Sequence, residues 1–255
     1  MKIVSYNARC VWKGDGVNGF MHRAGMIWDK VRKEKPDVIA FQEVVSPLKE
    51  CLETILPEYL LLGHFRNADY GGEGVFTAIR RDTWDLHGLE TFWMSPTPYV
   101  PGSRYPGQST CPRICAVTLI RNRFTGELLR IYNFHLDHIS DAARVDGMQC
   151  VLDRMEEFDR KGEFESVLLG DFNAEPDSGA LKLCDTYERR TLVDVTAEIP
   201  ATFHGYGKCA VKIDYLIATK ALADRKTSAC VWDDTDNGIF LADHYPVCVE
   251  FADKE

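Results

Sequence analysis

Carboxylates, amides and imidazoles recur at the ends of apolar runs along this chain. Asn7 ends KIVSYN, Glu43 ends DVIAFQE, and His135 ends RIYNFH, with Asp137 and His138 just beyond. Asp171 and Asn173 follow SVLLG, Asp214 sits in KIDYLI, and Asp243 and His244 precede YPVCVEF. One Asp or Asn at a strand end is turn chemistry, because its side chain bonds nearby backbone and tolerates unusual dihedrals. A mixed series asks for more, since strands of one sheet share an edge and residues at their ends converge. Such a cluster suits metal-assisted phosphoester hydrolysis. Glu43 is a hard oxygen ligand of the kind Mg²⁺ prefers, and the ion keeps places for water and phosphate oxygens. Amide and imidazole donors bind other oxygens, and a carboxylate takes the attacking water's proton. A His244 held by Asp214 would have a fixed tautomer and a stabilised imidazolium.

The elements that must position these residues are mostly strands. Runs rich in β-branched and aromatic residues, bounded by turn residues, predict strands at 3–7, 38–43, 59–62, 75–79, 114–120, 128–135, 167–170, 213–218, 230–232 and 245–251. Apolar residues at Met21, Ala24, Ile27, Trp28 and Val31 predict a helix over 21–33, ended by Pro36. Val145, Met148, Leu152 and Met155 predict another over 141–158 with Ser140 as cap. A shorter helix begins at Ser46 with Pro47 at its first position, and another follows Asp177. Many strands with few, separated helices predict two packed β-sheets with helices outside.

The 255 residues show no repeat or linker-like composition shift, so one domain over 1–255 is expected. With 30 Lys+Arg against 39 Asp+Glu the net charge is −9, which argues against tight binding of duplex DNA. No stretch has the length of a signal peptide or membrane span, so a cytoplasmic protein without membrane contact is expected. Nine cysteines, an odd number with irregular spacing and no Cys-x-x-Cys, read as reduced structural thiols. GDGVNG (Gly14 to Gly19) matches the dinucleotide-binding fingerprint, but no tight strand-to-helix turn precedes it and no acidic residue closes the second strand at the required distance. It reads as a Gly/Asn loop. DDTDNG (Asp233 to Gly238) lacks the closing glutamate of a calcium loop and reads as a solvated turn.

SYNAR, FQEV, NFHLDH, GDFNAEPD, KIDYLI and ADHYPV, in that order over nearly the whole chain, resemble the motifs of the endonuclease/exonuclease/phosphatase superfamily. The resemblance implies a four-layer α-β-β-α sandwich of two mixed sheets, as in deoxyribonucleases, and Mg²⁺-dependent phosphoester hydrolysis, with Mn²⁺ as a possible substitute. It implies Glu43 as principal metal ligand, with Asn7 and Asp243 near the ion. Asp171 would position and activate the water, Asn173 would hold the reacting group, and His244 would pair with Asp214. His135 would contact the phosphate, oriented by Glu73 of GGEGVFTAIRR. Two positions depart from the usual pattern: Ala242 replaces Ser before the final Asp-His, and Phe134 replaces Thr before His135.

The proline-rich segment from Phe92 to Arg113 resembles a loop of many microbial members. It is expected to wall the pocket, with Trp93, Tyr99 and Tyr105 against a base or sugar and Arg113 on a phosphate. Asp137 and His138 are expected to reach the same pocket. The substrate expected is a small or single-stranded phosphodiester or short nucleic acid, with a phosphomonoester as the alternative and a non-catalytic binding module as a remote one.

Overall fold

The computed structural model describes residues 1–254, which fold around two six-stranded sheets. The first holds β1 (Lys2–Asn7), β2 (Val38–Val44), β3 (Tyr59–Phe65), β4 (Gly74–Arg80), β11 (Lys226–Val231) and β14 (Val247–Phe251), in the order β11-β14-β1-β2-β4-β3. The second holds β5 (Trp84–Trp93), β6 (Ile114–Asn122), β7 (Leu128–His135), β8 (Glu165–Asp171), β9 (Leu192–Asp194) and β10 (Asp214–Thr219), in the order β5-β6-β7-β8-β10-β9. Each sheet is mixed: β1 and β2 run parallel in one, β7 and β8 in the other, and the remaining neighbours are antiparallel. A small hairpin, β12 (Thr235–Asp236) and β13 (Ile239–Phe240), forms within the acidic turn.

The layers follow from which faces are apolar. Ile3, Val38, Val249, Leu129, Leu169 and Leu216 from the two sheets meet in one buried cluster between them. On the outer face of the first sheet lie α1 (Phe20–Glu34) and α2 (Ser46–Ile55), which bury Ile27, Val31, Leu48 and Leu52 against Tyr6 and Phe41. On the outer face of the second lie α3 (Asp141–Lys161) and α4 (Gly179–Asp185), which bury Met148, Val151 and Leu181 against Tyr132 and Leu168. The one-turn α5 (Lys220–Ala223) caps β10. The expected four-layer sandwich is what forms. Ser140 caps α3 by accepting from Ala143 N at 3.2 Å, and Ser178 caps α4.

The polar strands are the ones that sequence patterning overlooked. β5 is an edge strand with exposed Leu86 and Leu89 and a register shift between Leu86 and Gly88, so neither alternation nor an apolar run marks it. β9 is three residues long at the opposite edge. The Gly14–Gly19 loop contains a kinked 3₁₀ turn, with Gly16 at φ 56°.

Candidate active site

The parallel pairs β1/β2 and β7/β8 end at one rim of the sandwich, and β10 begins there because it runs antiparallel to β8. Register then sets neighbours: His135 lies opposite Asp171 across β7/β8, and Asp214 lies opposite Asp171 across β8/β10. Three residues at this rim, Arg9, Glu43 and Asn173, have left-handed backbone (φ 55°, 57° and 48°). At Glu43 this coincides with a register shift in the β2/β4 ladder. A bulge breaks the in/out alternation of a strand and re-aims a side chain. Glu43 is thereby brought to the cleft although β2 continues to Val44.

Asn7 links Glu43, Asp171 and His244. Its Nδ2 donates to Asp171 Oδ2 at 3.0 Å and Glu43 Oε1 at 3.1 Å, and lies 3.4 Å from His244 Nε2. Asp171 Oδ1 accepts from Asn173 N at 2.8 Å, while Oδ2 stands 3.3 Å from His135 Nε2 and 3.8 Å from His244 Nε2. His244 Nδ1 faces Asp214 Oδ2 at 2.8 Å. Thr202 builds this pair into the scaffold: its Oγ1 accepts from Asp214 N, and its carbonyl accepts from Tyr245 N. The Phe203 ring packs on His244 with centroids 4.8 Å apart.

Charge is distributed unevenly through the cluster. Burial pulls the His244 pKa down, but Asp214, with Asp171 and Asp243 behind it, pushes it up to about 10. Burial and the neighbouring Asp214 raise Asp171 to about 7, against the pull of His244 and the Asn173 N–H. Burial, then the charges of Arg113 and Arg66, hold His135 well below the usual histidine range, so its ring is neutral. Burial also acts to raise Glu43, but the Cys10 N–H, His244 and Asn7 outweigh it and keep the group ionised.

Glu43 and Asp243 bring two further carboxylates to the cleft. Glu43 Oε2 accepts from Cys10 N at 3.0 Å, and Asp243 Oδ1 is buried with no hydrogen-bond partner. Oxygen atoms of Glu43 and Asp171 and a ring nitrogen of His135 all lie within 4.8 Å of one another. Clustered carboxylates with an unpaired buried oxygen fit a hard divalent cation. Arg9 neutralises part of this charge: its Nε lies 3.6 Å from Asp243 Oδ2 and its Nη1 4.0 Å from Glu43 Oε2. Asp15, on the Gly14–Gly19 loop, holds that guanidinium with two contacts of 3.1 Å.

These groups open onto a cleft of about 430 Å³, which Arg66, Arg113 and His138 also line. A larger hollow of about 680 Å³ beside Phe164 and Arg190 holds no comparable set. Arg113 Nη2 donates to His138 Nδ1 at 2.8 Å.

Three expected site residues have other partners, although Glu73 still lines the cleft. Glu73 pairs with Arg66 Nη1 at 2.6 Å and does not orient His135, because Arg66 N bonds the Glu73 carbonyl and sets the two side by side across the hairpin. Trp93 is 5% exposed and gives its indole N–H to the Arg66 carbonyl at 2.6 Å, so it supports that arginine without facing the cleft. Asp137 is buried beneath the loop, where it accepts from Ser109, Ile139 and Ser140 and clamps the chain leading into α3. The remaining loop aromatics also turn away: Tyr99 donates to Glu90 and lies under Arg154, and Tyr105 stands against Cys150 of α3. Cys111 and Arg113 are its residues at the cleft. Phe134 packs on Phe172 in the outer core, and Ala242 is buried, so both departures from the family pattern are packing residues here.

Arg9, Arg66, Thr202 and Phe203 were not singled out by sequence. Arg9 could have been found from its place between Asn7 and Asp15; Arg66 carries no such signal, being one arginine in a polar turn.

The family model described as Endonuclease/Exonuclease/phosphatase family matches residues 4–244. No curated protein sequence matches. The structure is similar to a functionally unknown conserved protein from Enterococcus faecalis, at 26% identity over 100% of each chain with a TM-score of 0.89. It is similar to a mannosyl-6-phosphatase from Bacteroides thetaiotaomicron, at 24% identity over 99% of each chain with a TM-score of 0.88. The human Nocturnin catalytic domain shares the fold at 15% identity, with 99% of this chain and 94% of that one covered and a TM-score of 0.73. The strand-end motifs, the two packed sheets and the match across 4–244 lead to one conclusion: this chain belongs to the endonuclease/exonuclease/phosphatase family.

Proposed function

We propose that this protein is a divalent-metal-dependent phosphoester hydrolase that cleaves a small substrate by in-line attack of water. The carrying observation is the geometry around Asn7: its Nδ2 bonds Asp171 and Glu43 and lies 3.4 Å from the ring of His244, which Asp214 holds from behind, with burial and charge raising both Asp171 and His244. A base is most useful when its pKa lies near working pH. Asp171 therefore takes the proton of the attacking water. His244, kept charged by Asp214, stabilises negative charge on the phosphoryl oxygens, and neutral His135 donates to the same group. Asn7 and Asn173 fix these side chains in place.

Glu43, with Asp243 and Asn7, would hold Mg²⁺, or Mn²⁺ in its place. The ion would supply charge neutralisation at the phosphate. The small cleft and the net charge of −9 favour a small or single-stranded phosphodiester over duplex DNA. A phosphomonoester is the second reading, favoured by the likeness to a mannosyl-6-phosphatase.

Hydrolysis of bis-p-nitrophenyl phosphate and p-nitrophenyl phosphate, with Mg²⁺ or with chelator, tests both readings. Activity should vanish with chelator, and Asp171→Ala should lower kcat by about 10²–10⁴-fold. Chelator-resistant turnover, or a fully active Asp171→Ala, would reject the assignment.

A further inference from the structure

Beside the carboxylate cluster, the same cleft holds two guanidinium groups that are incompletely paired among the described residues. Arg113 is 4% exposed, and neither its Nε nor its Nη1 has a hydrogen-bond partner. Its nearest carboxylate, Asp137, lies 3.9 Å away and is already occupied by Ser109, Ile139 and Ser140. Arg66 gives Nη1 to Glu73, but its Nε is likewise buried without a partner. The two charges feel each other: after burial, Arg66 is the strongest influence lowering the Arg113 pKa.

Such an arrangement is costly alone. Each unpaired buried donor forfeits its solvation, the more so when it is charged, and like charges add repulsion. Yet the surroundings hold it rigidly. Trp93 fixes the Arg66 carbonyl, Glu73 fixes its guanidinium, and His138 accepts one Arg113 N–H. Fixed arginine forks with free N–H groups complement the oxygens of phosphate or carboxylate.

The pair borders the reacting centre: both arginines line the same cleft as Asp171 and His244, and their charges act on His135. Asp171 Oδ2 already has Asn7, His135 and His244 around it, while the carboxylates within 4 Å of Arg66 and Arg113 are Glu73 and Asp137, so the free N–H groups of both arginines stay available to an oxyanion. Both arginines and His135 also line a water-sized recess of about 10 Å³ off the main cleft, so an anion must meet them from the cleft side.

We propose that Arg66 and Arg113 form an oxyanion subsite, so that the substrate carries a second phosphate or carboxylate beside the phosphoester that is cut. This rests on the hydrolase reading for the reaction, and on the guanidinium geometry for the subsite.

Two measurements separate those supports. In the first, inorganic phosphate is titrated into metal-free protein by calorimetry. Arg66→Gln and Arg113→Gln should each weaken binding about tenfold or more, as expected for hydrogen bonds to charged groups. Arg113→Lys, which keeps the charge without the fork, should fall between, and circular dichroism verifies folding. In the second, Mg²⁺-loaded protein is given matched substrates: glucose 6-phosphate against glucose 1,6-bisphosphate, and thymidine 5′-(p-nitrophenyl phosphate) with and without a 3′-phosphate. Glycerol 3-phosphate against 3-phosphoglycerate tells a carboxylate from a phosphate as the second anion. In wild type the doubly anionic member should have at least tenfold higher kcat/KM in one pair, and that ratio should collapse in the arginine variants. Phosphate binding untouched by the folded variants, or substitutions that slow both members equally, would overturn the subsite. Absence of any hydrolysis would reject the hydrolase reading, and the calorimetry would then decide the subsite alone.

Discussion

Neutralising Asp214 should remove a pH-dependent part of the stability of the metal-free protein. The perturbation is Asp214→Asn, which keeps the shape but takes away the charge 2.8 Å from His244 Nδ1. His244 moves from an ordinary value of 6.5 to about 10 despite its burial, because Asp214 first, then Asp171 and Asp243, outweigh desolvation. At about 1.4 kcal/mol per pKa unit, a shift of this size corresponds to about 5 kcal/mol favouring the folded, protonated form. Removing one partner of a buried pair costs about 3–5 kcal/mol in general, which agrees. The sign follows from proton linkage. A histidine with a raised folded pKa contributes fully below its unfolded pKa of 6.5, and the contribution is lost as pH rises through 10. Asp171, raised to about 7, is mostly ionised above pH 7.5, and the buried thiols, which titrate in the unfolded chain within this window, are common to both proteins and cancel in their difference, so pH 7.5–10 isolates His244 best. The assay is urea unfolding of both chelator-treated proteins across that window. The stability difference between wild type and Asp214→Asn should shrink by about 3 kcal/mol as pH rises. A difference that stays flat within 0.5 kcal/mol, roughly the scatter of such comparisons, would show that His244 is not held as an imidazolium.

Two further outcomes follow from the geometry. Replacing Arg9 with Met removes a cation 3.6 Å from Asp243 and 4.0 Å from Glu43. A unit charge at about 4 Å is worth roughly 1 kcal/mol even in water, so calorimetry should show Mg²⁺ binding several-fold tighter; weaker binding would mean that Arg9 orients the ligands. Gly170→Ala should destabilise the fold by several kcal/mol in denaturant melts, because φ is 142° and an added Cβ would lie 1.9 Å from the Phe134 carbonyl oxygen. An alanine variant as stable as wild type would refute that contact.

The legibility of the site varied with the kind of signal each residue carries. Residues at the ends of apolar runs announce themselves, because a polar group there is unusual and a strand end is easily placed; this brought Asn7, Glu43, His135, Asp171, Asn173, Asp214, Asp243 and His244 together on paper. Resemblance assigned Glu73 to His135 and Trp93 to the pocket wall, and Asp137 followed from its place beyond His135; of the three, Glu73 lines the cleft, but paired with Arg66. Where each side chain points depends on partners distant in sequence: Glu73 and Trp93 both serve Arg66, and Asp137 serves the turn into α3. The edge strand β5 was likewise hidden, because an edge is only half buried and its pattern is diluted by solvent-facing residues.

By itself the sequence determined the two-sheet architecture, the outer helices and the placement of the polar candidate site residues at strand ends, since periodicity and strand-end chemistry are local properties. Tertiary structure alone decided the left-handed bulge that re-aims Glu43, the clamp of Asp15 on Arg9, and the meeting of Arg66 with Arg113. Those features arise where strands and loops far apart in the chain are pressed together, and the energies that fix them belong to the pairs and to no single residue.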